Sequence, residues 1–255
     1  MAHNSKAPAF RYIGPVTGVK VYKNDVVVTR AGNGPPIVDT PRGEIVDFSR
    51  KARQRLAFIA ANTDVVFPVM FTLTYPDAFP SDGRKVKSDL AAFLAQLKRD
   101  EGAFSYLWCL EFQARGAPHI HLWTSFGWPR TRQHQKALRF RTSANWYRIV
   151  GSKDPNHLAA GTRVERVRKI NGAARYAVKE MAKMYQKIVP REYRNVGRFY
   201  GYSRDVVPVM RCEMQCTEDD IRATLDGWRY APKDDRMVWK VLYGVSGRFL
   251  EHHKE

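Results

Sequence analysis

Two histidines, His119 and His121, stand two positions apart inside an apolar segment of the chain. Side chains alternate across a β-strand, so both imidazoles point to one face if this segment is a strand. Glu111 lies in the preceding apolar segment, and a Gly-Ala-Pro break at residues 116–118 separates the two. We therefore expect two antiparallel strands joined by a short connection. Two imidazoles and a carboxylate on one face can form a divalent-metal site with open positions, which is a catalytic geometry.

The surroundings of the histidine pair matter, because a His-x-His in a strand is also compatible with two histidines that make only structural hydrogen bonds. Upstream, Thr72 and Thr74 alternate in a predicted strand, and downstream a predicted helix carries Tyr176 followed at i+3 by Lys179. The threonines are expected near the metal, where their hydroxyls could bind a DNA phosphate or a ligand carboxylate. The β-propensity of threonine explains them equally well.

In this order, the strand Phe-Thr-Leu-Thr, the segment Gly-Ala-Pro-His-Ile-His-Leu-Trp and the pair Tyr-x-x-Lys resemble the HUH endonuclease superfamily. The resemblance is to rolling-circle replication initiators of the prokaryotic plasmid or phage type, and it covers about residues 65–207. It implies that Glu111, His119 and His121 bind Mg²⁺ or Mn²⁺. It also implies site-specific nicking and joining of single-stranded DNA, in which Tyr176 attacks to give a 5′-phosphotyrosine and a free 3′-hydroxyl.

The predicted tyrosine helix offers two candidate nucleophiles. Tyr176, Lys179 and Lys183 recur at i, i+3 and i+7 and share one helix face, whereas Tyr185 points roughly the opposite way. We assign Tyr176, because Lys179 accompanies it as in the Tyr-x-x-Lys pattern; the alternative is an ordinary aromatic of an amphipathic helix. A phenol has a pKa near 10, so it needs help from the cation or from Lys179 to lose its proton.

The charge of the chain suits a nucleic-acid partner. Lys and Arg number 43 against 25 Asp and Glu, which gives a net charge of +18. Membranes and acidic proteins also attract basic chains. Basic residues cluster at 130–148, 163–187 and 191–204, as a groove for a DNA strand requires.

Several individual side chains are candidates for DNA contact. The candidate phosphate contacts are Thr72, Thr74, Arg115, Arg163, Lys183, Arg198 and Arg204, and each arginine or lysine could equally be a plain surface charge. Trp123, Trp128 and Phe199 could stack on bases or belong to the core.

The expected partners are single-stranded or hairpin origin DNA and, because the chain contains no P-loop motif, a host helicase and polymerase. Two other classes of function remain open. One is a single-tyrosine transposase with the same chemistry, and the other is a non-catalytic DNA-binding or metal-binding module. The oligomeric state is left open.

The elements that must position these residues predict an α+β fold: a central antiparallel sheet of about five strands with helices packed against it. Residues 1–62 form a predicted N-terminal extension with a hairpin and a basic helix, residues 63–208 the nickase domain, and residues 209–255 a C-terminal extension. Further helices are expected at about 86–99, 131–149 and 173–188, and a loop at 151–161.

The remaining composition points to a cytoplasmic protein. The three cysteines make no disulfide framework, and Cys109 is expected in the core. Cys212 and Cys216 could be half of a metal site, although their spacing is unusual. No apolar run approaches the length of a membrane span, and a reducing cytoplasm is the simplest compartment.

Overall fold

The computed structural model describes residues 16–30, 45, 48–167, 189–194, 197–217, 219–220, 240–243 and 249–251. The chain divides into two compact units. Residues 41–208 form the central unit, and residues 1–40 together with 209–255 form the terminal unit.

The central unit contains a five-stranded antiparallel sheet. Its strands are β3 (Val69–Thr74), β4 (Tyr106–Phe112), β5 (Pro118–Thr124), β6 (Thr162–Arg166) and β7 (Tyr200–Tyr202). Their order in the sheet is β6-β3-β5-β4-β7, so β5 is the middle strand. The side chains of Ile120 and Leu122 on β5 are completely buried, as expected for a strand covered on both faces. The α+β fold with a five-stranded antiparallel sheet is thus confirmed.

Four α-helices belong to the same unit: α1 (Arg50–Asn62), α2 (Gly83–Glu101), α3 (Arg132–Ile149) and α4 (Pro155–Ala160). Each begins after a residue whose side chain accepts a hydrogen bond from a backbone N–H of the first turn; these caps are Ser49, Asp82, Thr131 and Asp154. Phe93 of α2 packs edge-on against Phe71 of the sheet and against Trp146 of α3. The ring contacts of Phe93 thus join α2, α3 and the sheet in one core.

Two structural boundaries differ from those that the sequence predicts. Residues 151–161, predicted as a loop, contain the short helix α4, which Asp154 as the cap and Pro155 in the first turn explain. Helix α1 groups with the central unit rather than with the N-terminal extension. The reason is that Leu56 and Ile59 are buried in the hydrophobic core that contains the sheet.

The terminal unit contains a second five-stranded sheet, in the order β10-β9-β2-β1-β8. Its strands are β1 (Val16–Tyr22), β2 (Asp25–Arg30), β8 (Met210–Met214), β9 (Lys240–Tyr243) and β10 (Phe249–Glu251). The predicted hairpin near Asn24 and Asp25 is confirmed by the antiparallel pairing of β1 with β2. Strand β9 pairs with β2 in parallel. Within the described residues, no helix is long and apolar enough to cross a membrane.

Candidate functional site

The pairing of β3, β5 and β4 brings the predicted site residues onto one face of the central sheet. Thr72 lies opposite His121, and Thr74 lies opposite His119. On the other side of β5, Glu111 lies opposite His119. Residues opposite one another in an antiparallel ladder share a face, so two imidazoles, two hydroxyls and one carboxylate meet there.

Each histidine is oriented by a threonine of β3. The Oγ1 atom of Thr72 lies 3.3 Å from Nδ1 of His121, and Oγ1 of Thr74 lies 3.2 Å from Nδ1 of His119. Which atom donates depends on the tautomer of each ring. A hydrogen bond at Nδ1 fixes the ring so that Nε2 is the nitrogen on the opposite side, which is how histidines are commonly held for metal binding. The structure thus gives both threonines a contact with a histidine, whereas the sequence suggested contact with a phosphate or a carboxylate.

Glu111 and His121 face each other inside the protein. Nε2 of His121 lies 3.8 Å from Oε2 of Glu111, and the two residues, His121 and Glu111, are only 4% and 1% exposed. The His119 ring stands nearly perpendicular to the His121 ring, with 4.6 Å between their centroids. Metal–ligand distances of about 2.0–2.2 Å allow one cation to contact two atoms at the separation of Nε2 and Oε2.

The donor set of two imidazoles and one carboxylate has the chemistry of a divalent-metal site. Among the described residues, no three His, Cys, Asp or Glu side chains are already gathered as a complete metal-binding group. The fit therefore rests on the donor types, on the shared face and on the approach of His121 to Glu111.

The end of β3 is held by two side chains that the sequence did not single out. The carbonyl oxygen of Thr74 accepts hydrogen bonds from Nε1 of Trp146, at 2.7 Å, and from Nε2 of His157, at 2.8 Å. Its backbone N–H donates to the carbonyl of Gly161 at 2.9 Å. A Cβ atom on Gly161 would lie 2.4 Å from the His157 ring, so only glycine fits there. No local motif announces the contacts with Thr74, because they join distant parts of the chain.

The loop after β3 is held by Arg115, which the sequence suggested as a phosphate contact. Its guanidinium donates to the carbonyl oxygens of Tyr75, at 2.6 Å, and Pro76, at 3.0 Å, and it pairs with Asp77 at 3.2 Å. It also lies over the ring of Phe79. These contacts use most of its donors, so the structure gives Arg115 a role in fixing the loop.

Other candidates for DNA contact have different surroundings. Arg163 lies on β6 opposite Thr72; its side chain is 73% exposed and pairs with Glu165 at 2.7 Å. Arg198 and Arg204 are exposed. Trp123 and Phe199 are core residues, as is Cys109, whereas Trp128 is half-buried. The predicted catalytic helix with Tyr176, Lys179, Lys183 and Tyr185 lies outside the described residues.

Comparison with known proteins adds one family match. Residues 68–185, less than half of the chain, match the model of a family of replication-associated proteins of the ORF2 type. The matched segment contains Thr72, Thr74, Glu111 and both histidines, and it extends beyond Tyr176 and Lys179. Searches among curated proteins and among solved structures returned no match. The segment that carries the candidate site is therefore similar to replication-associated proteins, which supports a replication initiator family.

Proposed function

We propose that the protein nicks and rejoins single-stranded DNA at a specific site, in a metal-dependent reaction that initiates rolling-circle replication. The observation that carries the proposal is the shared face of β3, β5 and β4, where Glu111 and two threonine-bonded histidines meet. The match to replication-associated proteins supports the same role. The arrangement also agrees with the resemblance to HUH endonucleases in its order of motifs.

Glu111, His119 and His121 are the proposed metal ligands, with Mg²⁺ or Mn²⁺ as the ion. When bound, the ion polarises the scissile phosphate and stabilises the negative charge that develops on it. Thr72 and Thr74 keep the imidazoles in one orientation through Nδ1. Trp146 and His157 act one step further out, because they hold the carbonyl of Thr74 and thus the end of the strand.

Tyr176 is the proposed nucleophile. Its phenolic oxygen forms a bond to phosphorus while the bond from phosphorus to the 3′ oxygen breaks. The phenolic proton is lost, with Lys179 lowering its pKa through a nearby positive charge, and the departing 3′ oxygen takes up a proton. The 5′-phosphotyrosine keeps the energy of the phosphoester, so a later attack by a 3′-hydroxyl can rejoin the strand.

The proposed substrate is origin DNA that is single-stranded or extruded as a hairpin. A net charge of +18 favours binding to the phosphate backbone. Opening of the duplex and synthesis from the 3′-hydroxyl are assigned to a host helicase and polymerase.

The experiment that tests the proposal uses a pool of hairpin oligonucleotides with randomised loops. The full chain is incubated with the pool and Mn²⁺, and the new 3′ ends are sequenced. We expect cleavage at one sequence, lost with EDTA and with His119→Ala or His121→Ala. His134→Ala, which changes an exposed histidine of α3, is the matched control and should cleave normally.

Calorimetric titration with Mn²⁺ measures metal binding separately from cleavage. The His119→Ala and His121→Ala double variant should lose Mn²⁺ binding, whereas Glu111→Ala should weaken it. Equal Mn²⁺ affinity in the wild type and the double variant would contradict the metal site. Undiminished cleavage by the double variant would contradict the proposed function.

A further inference from the structure

A groove with a volume of about 840 Å³ lies between helix α3 and the edge strand β6. Trp128 and Arg139 line it from the helical side, and Arg163 and Arg166 line it from the strand. Strand β6 is the outermost strand of the central sheet on this side, so the groove follows an edge of the sheet. Ligand pockets typically measure roughly 300–1,000 Å³, so the groove has room for one or more nucleotides.

The lining combines a stacking surface with positive charge. The Arg139 guanidinium lies 5.6 Å from the centre of the Trp128 ring, and its Nε donates to the carbonyl of Val164. Among the lining side chains of the described chain, three are arginines and one, Glu165, is acidic. Glu165 pairs with Arg163, so a positive excess remains for a ligand.

Helix α3 extends this charge along the groove. Over Arg132–Ile149 its sequence contains five arginines and lysines and no acidic residue. Arg139 follows Gln135 and precedes Ser143 at intervals of four residues, so these three form one stripe on the helix, and all three line the groove. Phe140 beside this stripe is 71% exposed, which is unusual for a large aromatic ring.

The groove borders the candidate metal site. Arg163 is the cross-strand neighbour of Thr72, whose hydroxyl contacts His121. Strand β6 lies two strand spacings from β5, which is about 10 Å. A DNA strand lying in the groove therefore continues to the metal ligands within a few nucleotides.

We propose that the groove between α3 and β6 binds the nucleotides of single-stranded DNA that flank the scissile phosphate. A base stacks on Trp128, and Arg139, Arg163 and Arg166 contact the sugar-phosphate backbone. Aromatic stacking combined with arginines is typical of single-strand binding and distinguishes this ligand from an acidic peptide, which needs the charge alone. The inference rests on the proposed function for its choice of DNA as the ligand.

The test measures binding without cleavage, so that its failure is distinct from failure of the nicking reaction. The full chain is titrated in EDTA with a fluorescent 8-nucleotide oligothymidine, and anisotropy is recorded at several salt concentrations. We expect the Arg139→Gln and Arg163→Gln double variant to bind about tenfold more weakly. Its slope of log affinity against log salt should be smaller by about 0.7 for each phosphate that the variant no longer neutralises.

Arg84→Gln is the matched control, because Arg84 is an exposed arginine near the start of α2, whereas α2 contacts α3 through its second half. It should leave affinity and salt slope close to those of the wild type. Trp128→Leu should weaken binding about tenfold by removing the stacking surface, provided that circular dichroism shows an intact fold. Photocrosslinking with 5-bromodeoxyuridine should label the peptide that contains Trp128.

Wild-type affinity of the arginine double variant, or crosslinks confined to peptides without groove residues, would overturn the proposal. Polyglutamate that competes as well as the oligonucleotide at equal charge would overturn the assignment to DNA. If groove variants lose binding while no variant or wild type ever cleaves DNA, the groove is supported and the proposed nicking function fails.

Discussion

Replacing Thr72 and Thr74 by valine is expected to weaken Mn²⁺ binding without disturbing the fold. Valine has the same branched shape and strand preference as threonine, but it removes the hydroxyls that lie 3.3 and 3.2 Å from Nδ1 of His121 and His119. Removing such an outer hydrogen bond typically costs about 10–100-fold in metal affinity. That range corresponds to about 1.4–2.8 kcal/mol for each ring. Calorimetric titration of each single variant with Mn²⁺ provides the measurement.

Thr142→Val is the matched control for this prediction. Thr142 is a buried threonine of α3 whose hydroxyl has no hydrogen-bond partner among the described residues. The same chemical change should there leave metal affinity unaltered and leave stability unchanged or slightly higher. Unchanged Mn²⁺ affinity in Thr72→Val and Thr74→Val would refute the role of the threonines in orienting the histidines. An equal decrease of affinity in Thr142→Val would show that the effect is not local.

Three further predictions concern the framework around the site. Burial lowers the pKa of Lys87 from 10.5 to about 8, so the unfolded state binds more protons between these values and stability should rise with pH across that window; in Lys87→Met, urea unfolding at about pH 7.5 and pH 10 should show that rise reduced. Trp146→Phe should cost about 2 kcal/mol in urea unfolding, because the ring loses its hydrogen bond to the carbonyl of Thr74, and wild-type stability would argue against that bond. Arg115→Lys should increase proteolysis of the loop at residues 75–79, because lysine cannot reproduce the forked contacts, whereas an unchanged cleavage pattern would contradict that role.

The histidine face was predictable from the sequence because it follows from local periodicity. Strand alternation places His119 and His121 together wherever the strand lies in the sheet, and the Gly-Ala-Pro break predicts the antiparallel return from β4. The turn near Asn24 and the burial of Cys109 follow from equally local signals, and the structure confirms both. The helical periodicity at 86–99 likewise predicts α2, which extends a few residues further at each end.

The rest of the site depends on contacts between distant parts of the chain. Nothing local places Thr72 beside His121, because that pairing requires β3 and β5 to be neighbours although the sequence between them contains β4. The same holds for His157, which reaches Thr74 across 83 positions. Arg115 was indistinguishable from a DNA contact, because a guanidinium that binds carbonyls of a loop has the same sequence signal as one that binds phosphate.

The central claim is that Tyr176 becomes covalently attached to DNA. Incubation of the full chain with Mn²⁺ and its cleaved oligonucleotide should give a slowly migrating adduct on a denaturing gel, and mass spectrometry of the digested adduct should place the nucleotide on Tyr176. Tyr176→Phe should give no adduct while keeping its DNA affinity, because only the nucleophilic oxygen is removed. Tyr185→Phe should give the adduct as the wild type does. An adduct that persists in Tyr176→Phe and disappears in Tyr185→Phe would contradict the assignment, and cleavage without any adduct would contradict the proposed chemistry.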